Sequence, residues 1–335
     1  LFCLFPKVPF SNRETPDMSS SLWPNLFIVG AAKAGTTSLY AYLRGHPDVF
    51  FPPIKEPHYF ADVRPAPEHR YAQRRFITRR EDYLALFTQA GGAKLRGDAS
   101  PSYLWAENAP ARIAEVAPEA RIVVILRDPV ERAYSHYLME FREGADHGGF
   151  LEALRRDLAR PRKGWAVSHL YVELGFYAEQ LARYFLHFPR QQIFILELEE
   201  LRTPPSRQAA LTRLCAFLGI DADGLDEAAL AHIANGYAAP RAEWLRRLAG
   251  AHWARAIGQR LVPERLGRGV FERFFLRPAA PPPIPAEAKA LLTELYAPEI
   301  ARLEALLGRP LPSLRRTWAD FAPPAMTETA FSPAP

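Results

Sequence analysis

The sequence predicts an α/β protein with a mainly parallel central sheet flanked by helices. Three observations carry that prediction. Short apolar runs stand at Leu26–Val29, Arg121–Leu126 and Ile193–Leu196. Segments of helical period separate them. The first two runs lead into anion-binding chemistry, the loop Gly30–Gly35 and the dipeptide Arg127-Asp128. Apolar runs of this length are characteristic of strands buried on both faces. Strands alternating with helices across residues 26–200 imply helical crossovers between parallel strands.

Each element follows from its residues. Residues 1–24 read as an irregular leader, interrupted by Pro6, Pro9 and Pro16. After the Leu26–Val29 strand and its loop, a helix spans Thr36–Arg44, with Leu39, Tyr40 and Leu43 on one face and Gly45 as its stop. Glu81–Ala90 predicts a short helix, Asp98–Tyr103 a polar loop and Ala109–Val116 a helix. Arg121–Leu126 is the strongest strand signal and leads through Arg127-Asp128-Pro129 into a helix over Val130–Phe141. Tyr171–Phe185 has helical spacing, Ile193–Leu196 is a strand, and Ala209–Leu218 is a helix stopped by Gly219. Ala239–Val262 contains another helix. Five prolines in Pro278–Pro285 forbid a regular element. Ala286–Leu307 carries Leu291, Leu295, Leu303 and Leu306 on one face and closes at Gly308. Residues from Thr317 read as a tail. With no internal repeat and no shift of composition, the expectation is one domain over residues 25–316, between the leader and a tail at 317–335.

The 335 residues are 48% hydrophobic, enough for a substantial core, and 24% charged, which argues against wholesale disorder. The net charge of +5 is spread along the chain. It is read either as an Arg-rich solvated surface or as a basic cleft for an anion, and composition does not choose. There is no Lys-rich tail and no zinc-finger spacing, so no nucleic-acid partner is expected. Cys3 and Cys215 make neither a disulfide framework nor a CxxC site, which suits a cytoplasmic enzyme. The apolar opening Leu1–Phe5 stops at Pro6, too short for a signal core or a membrane span. The chain begins without Met.

Gly30-Ala31-Ala32-Lys33-Ala34-Gly35-Thr36-Thr37 is the sharpest local signal. Small residues let a loop approach a phosphate, and its amides and the helix N-terminus then donate to the oxygens. Lys33 adds a point charge, and Thr36 and Thr37 add hydroxyls. The loop departs from the nucleotide-triphosphate motif, in which Gly-Lys-Ser/Thr stands at the end. Here the end is Gly35-Thr36-Thr37, and the lysine comes earlier. The plain alternative is a tight turn with a solvated lysine.

Four blocks together resemble the PAPS-dependent sulfotransferase superfamily, in the style of its bacterial members and of heparan-sulfate sulfotransferase domains. They are Phe27 through Leu39, Lys55-Glu56-Pro57-His58-Tyr59-Phe60, Asp98-Ala99-Ser100-Pro101-Ser102-Tyr103, and Leu126-Arg127-Asp128-Pro129 through Tyr137. Weaker similarity runs through Gly175-Phe176-Tyr177, Gln180–Gly219 and Ala288–Leu311. The resemblance implies a P-loop-like three-layer fold, the sulfonate donor PAPS (3'-phosphoadenosine 5'-phosphosulfate) and the product PAP.

The resemblance also implies roles. Lys33, Ala34, Gly35, Thr36, Thr37 and Ser38 would hold the 5'-phosphosulfate, with Lys33 offsetting charge on the leaving phosphate. Arg127 and Ser135, eight residues apart, would hold the 3'-phosphate. A salt bridge of Arg127 to Asp128 or Glu131 is the alternative, and Arg132 reads as structural. Glu56 matches the general base that takes the acceptor's proton, and its alternative is an ion pair with Lys55 or Lys33. His58 is the competing base and a site-lining residue. Lys55, Ser100 and Tyr103 would line the acceptor side. Arg273 and Arg277 fall in the family's C-terminal nucleotide loop, without the cysteines and Lys-Gly step of the heparan-sulfate branch. Ala99 stands where that branch usually has lysine, which weighs against a heparan-like acceptor.

The expected reaction is therefore sulfonate transfer from PAPS to a hydroxyl or amine of a glycan, lipid or small metabolite, without a metal. An inactive nucleotide-binding relic and an ATP-dependent kinase are the competing readings. Acceptor choice is assigned to loops 61–80 and 142–170, with the arginines of the first and Trp105, Trp165 and Tyr171 as candidates.

Overall fold

Leu26–Gly30 forms β1, buried along its whole length, as an apolar run without alternation should be. The computed structural model describes residues 22–61, 76–161, 163–165, 169–225, 238–241 and 276–318. Around β1 the sheet has the order β2-β3-β1-β4-β5, with β2 at Val49–Phe50, β3 at Leu95–Asp98, β4 at Arg121–Leu126 and β5 at Ile193–Glu197. Its four pairings are all parallel. Leu26 stands opposite both Gly97 and Arg121, and Leu126 opposite Glu197. The C-terminal ends of β3, β1 and β4 therefore share one edge, where open α/β sheets bind ligands. A separate antiparallel pair joins Ala238–Pro240 (β6) to Leu276–Pro278 (β7).

Among the described residues the helices are α1 (Thr36–Arg44), α2 (Arg80–Ala85), α3 (Ser102–Trp105), α4 (Ala109–Val116), α5 (Pro129–Arg142), α6 (Phe150–Leu158), α7 (Tyr177–His187), α8 (Pro204–Leu218) and α9 (Ala286–Leu307). They cover the sheet and enclose one apolar core running from Trp23 to Trp318.

Several boundaries differ from the sequence reading, each for a local reason. The polar loop expected at Asp98–Tyr103 is the end of β3 followed by α3. Alternation is weak in Leu-Arg-Gly-Asp, so β3 gives little strand signal. The helix expected from Tyr171 begins at Tyr177, after a 3-10 turn at Glu173–Gly175. There a Cβ on Gly175 would stand 2.6 Å from the Tyr296 hydroxyl. Helix α8 begins at Pro204, five residues earlier than expected. Thr203 caps it by accepting from the Ser206 amide at 3.3 Å, and prolines suit a first turn whose amides have no helical partner. Of the helix expected in Ala239–Val262, residues up to Pro240 are strand and 242–262 lie outside the described residues. At the ends of the described residues, Trp23 and Trp318 are both buried in the core.

A buried carboxylate on α9 joins that helix to α7. Glu299 is fully buried and accepts from the Ala178 amide at 2.7 Å and the Glu179 amide at 3.4 Å. It thus caps the N-terminus of α7, whose amides otherwise have no acceptor inside the fold. From the same turn Tyr177 donates to the Arg127 carbonyl at 2.9 Å. Glu299→Ala is expected to destabilise the protein by about 1–3 kcal/mol, the cost of stranding buried donors, and Glu299→Gln by less. The denaturant midpoint of each variant measures this.

Candidate active site

The first part of the site is the turn from β1 into α1. Gly35 is the N-cap of α1 at φ 103°, a left-handed conformation that favours glycine. A Cβ there would also approach Leu198 Cδ1 to 2.8 Å. Having no side chain, Gly35 offers the amides of Thr36 and Thr37 no side-chain acceptor, while its carbonyl takes the Ser38 amide at 3.0 Å. That leaves the positive end of the helix open to an outside anion. Thr37 and Ser38 are half-buried on this turn, while Ala34 and Thr36 are buried.

Lys33 sits in the same turn with φ 65°. Its Nζ lies 3.4 Å from Met139 Sδ on α5, a weak acceptor that leaves the charge largely unanswered. Burial pulls the Lys33 pKa down to about 8, helped by the neighbouring positive charges of Arg142 and Arg127, with Glu143 and Glu140 opposing.

The second part is the end of β4. Arg127 Nη1 donates to the Lys33 carbonyl at 3.1 Å, and Nε donates to Glu131 at 3.2 Å. Burial lowers its pKa as well, against the favourable charge of Glu131. Asp128 caps α5, accepting from the Val130 amide at 2.9 Å and the Glu131 amide at 3.3 Å, with Pro129 in the first helical position. Two turns along this helix stands Ser135, half-buried. Arg132 is fully buried and donates to the Tyr171 carbonyl, a structural position.

The third part lies at the end of β3. Asp98 is fully buried and accepts from Ser100 Oγ at 2.7 Å, Tyr83 at 2.7 Å and Tyr103 at 2.8 Å. Burial pushes its pKa up to about 6, opposed by those three hydrogen bonds. Ser100 Oγ in turn accepts from the His58 amide at 3.2 Å, and the His58 ring meets Ser102 Oγ at 2.6 Å. Glu56 pairs with Lys55 and has a carboxylate oxygen 3.9 Å from His58 Nε2. Glu56 and His58 both hold positive φ, 62° and 56°. The rings of Phe76 and Trp165 flank His58, with centroids at 4.9 and 5.7 Å. Trp165 also packs against Ala32, Leu170 and Leu174, so one aromatic side chain bridges the Lys33 turn and the His58 group.

The structure thus gathers Lys33 with Arg127, and separately Glu56 with Lys55 and His58, on neighbouring strand ends. The ion pairs anticipated as alternatives, Arg127 with Glu131 and Glu56 with Lys55, are both formed. Ser100 and Tyr103, expected at the acceptor side, are fully buried. Both hydroxyls face Asp98, so they support the His58 segment from beneath. Arg277 is exposed on β7. Arg273 and the arginines at 64, 70, 74 and 75 lie outside the described residues. The sequence reading anticipated Glu131 as a partner of Arg127 but missed the parts played by Asp98 and Thr317. An Asp before Pro at a strand end signals a cap, as Asp128 shows, but nothing local marks Asp98 as the centre of a network. Among the described residues no group of three or more His, Cys, Asp or Glu is placed to hold a metal, and no helix is long and apolar enough to cross a membrane.

A sequence model described as "Sulfotransferase family" matches residues 24–224. The chain is 29% identical to human heparan sulfate glucosamine 3-O-sulfotransferase 3A1 over 206 residues, 61% of this chain and 46% of that protein. It is 32% identical to human carbohydrate sulfotransferase 15 over 234 residues, 53% of this chain and 40% of that one. The chain thus spans about half the length of the curated relatives it matches. Among solved structures, a sulfotransferase from Alicyclobacillus acidocaldarius is 30% identical and superposes with a TM-score of 0.66, covering 88% of this chain and 99% of that one. The match spans the loop of Lys33, the Glu56–His58 segment, the Asp98 network and the Arg127 turn, and the chain belongs to the sulfotransferase family, as a transferase enzyme.

Proposed function

We propose that this protein transfers a sulfonate group from PAPS to a hydroxyl or amine of a glycan or small-molecule acceptor. One observation carries the donor: the Arg127 guanidinium, 94 residues along the sequence from Lys33, donates to the Lys33 carbonyl at 3.1 Å, which sets two partly buried cations beside a helix N-terminus that has no side-chain cap. Each carries a pKa lowered chiefly by burial. A polyanion relieves both costs, so the residues fit a nucleotide carrying phosphates at each end. Lys33 with Gly35, Thr36, Thr37 and Ser38 would hold the 5' side. Arg127 with Ser135 would hold the 3'-phosphate, as the family resemblance suggests.

When bound, PAPS supplies a sulfonate activated by a phosphate leaving group. Glu56 takes the proton that the acceptor loses as its oxygen or nitrogen bonds to sulfur. Lys33, as an ammonium, offsets charge left on the phosphate oxygen when the sulfur–oxygen bond breaks. Lys55 and His58 orient the Glu56 carboxylate. The Phe76 and Trp165 rings beside His58 give the acceptor an apolar wall, a surface on which a sugar face can stack. That reading agrees with the carbohydrate acceptors named for the relatives.

Three outcomes test it. Arg127→Ala is expected to weaken PAP binding roughly tenfold to a hundredfold, the range for a charged hydrogen bond. Calorimetry with PAP measures it, and a preference of the wild type for ATP with magnesium would move the chain to the kinase reading. Glu56→Gln should cost about 10²–10⁴-fold in turnover while PAP affinity stays within a factor of two or so; full activity in that variant would pass the role of base to His58. Lys33 is protonated below its pKa of about 8 and loses its charge above it. The kcat/KM for the donor should therefore fall on an alkaline limb centred near pH 8, and Lys33→Arg should abolish that limb whatever its overall rate.

A further inference from the structure

Residues 311–318 lie beyond the stretch matched to the family, yet they close over the ends of β4 and β5. Thr317 donates its amide at 3.0 Å and its hydroxyl at 2.7 Å to Asp128 Oδ2. Ser313 donates to Glu197 at 2.5 Å. Leu311, Leu314 and Trp318 are buried, so the strap is anchored in the core on both sides of its polar contacts.

Between those anchors Arg316 pairs with Glu131 Oε1, and its Nε lies 3.6 Å from Glu199. The other oxygen of Glu131, Oε2, receives Arg127 Nε at 3.2 Å and Arg202 at 3.5 Å. One carboxylate thus stands between the strap and the arginine of the donor site. With both oxygens engaged, the carboxylate has one orientation, and it fixes the plane of the Arg127 fork. Without Arg316, Oε1 loses its partner, and the carboxylate is free to turn toward Arg202. A guanidinium binds phosphate through a planar pair of donors, so a rotated plane is a weaker site.

We propose that Arg316 is a positioning residue for the 3'-phosphate, acting through Glu131 to hold Arg127 in its binding orientation. This rests on the donor reading above. It adds a C-terminal strap to a site otherwise built from the strand ends.

The test compares two nucleotides on the full chain at fixed low salt: PAP, and adenosine 5'-phosphate, which lacks the 3'-phosphate. Arg316→Ala is expected to lower the preference for PAP roughly threefold to tenfold, the scale of a half-exposed charge pair within a network. Affinity for adenosine 5'-phosphate should hold, and Arg316→Lys should recover part of the loss. Combining Arg316→Ala with Arg127→Ala should add nothing to Arg127→Ala alone, because the effect passes through Arg127. An unchanged preference in Arg316→Ala, or an equal loss for both nucleotides, would overturn the proposal while leaving the donor assignment in place. A wild type that does not prefer PAP would remove the donor reading and this inference together.

Discussion

The Asp128 carboxylate is the point on which the C-terminal end of β4 depends. It is buried, and its burial raises its pKa against the bonds that hold it. A buried carboxylate is costly unless its lone pairs are met. Here one oxygen takes two amides of α5 and the other takes the amide and hydroxyl of Thr317. The same group therefore starts the helix that carries Ser135, fixes the residue after Arg127 and fastens the C-terminal strap. The Arg127 carbonyl is held independently by Tyr177. Backbone and following side chain are both pinned, and the guanidinium itself is held by the Lys33 carbonyl and Glu131.

Across the sheet a second buried carboxylate plays the matching part. Asp98 receives two tyrosine hydroxyls and one serine hydroxyl, and Ser100 passes the constraint to the His58 amide. The two halves differ in what they leave unsatisfied. Around Asp98 the three donors belong to the protein. Around Lys33 and Arg127 the neighbouring side chains include mutually repelling cations. Such a cluster costs stability in the free protein and is compensated when an anion arrives, which is how a preorganised site gains affinity without moving.

Much of this was legible in the sequence because it is local. The apolar runs of β1, β4 and β5 need no partner to be recognised, and the Gly-bearing turn after β1 carries its own chemistry. Arg127 and Lys33 stand out as charges at strand ends. What was not legible is long-range or buried. Strand β3 is four residues with a glycine and two charges, and only its neighbours make it a strand. The hydroxyl partner of Tyr103, the buried Asp98 carboxylate, is not marked in the block that carries both residues. Thr317 reads as tail because its partner lies 189 residues away. Composition can separate a core from a surface, but it does not reveal which polar residues have each other as partners.

The backbone conformations tie these halves together. Lys33, Glu56 and His58 all hold positive φ, where a side chain costs of order 1–3 kcal/mol at each position. Lys33 and Glu56 are not among the residues that tolerate this region best, whereas His58, as a histidine, is. Such a conformation persists only when its surroundings over-determine it. For His58 the determinants are the Ser100 bond to its amide, the Ser102 bond to its ring and the flanking Phe76 and Trp165. For Lys33 they are the Arg127 bond to its carbonyl and the Met139 contact. Replacing any of the three residues by glycine would relieve the backbone and discard the side chain. The fold retains the strained backbone together with the charged or titratable group, as it would if that group's direction were what the strain secures.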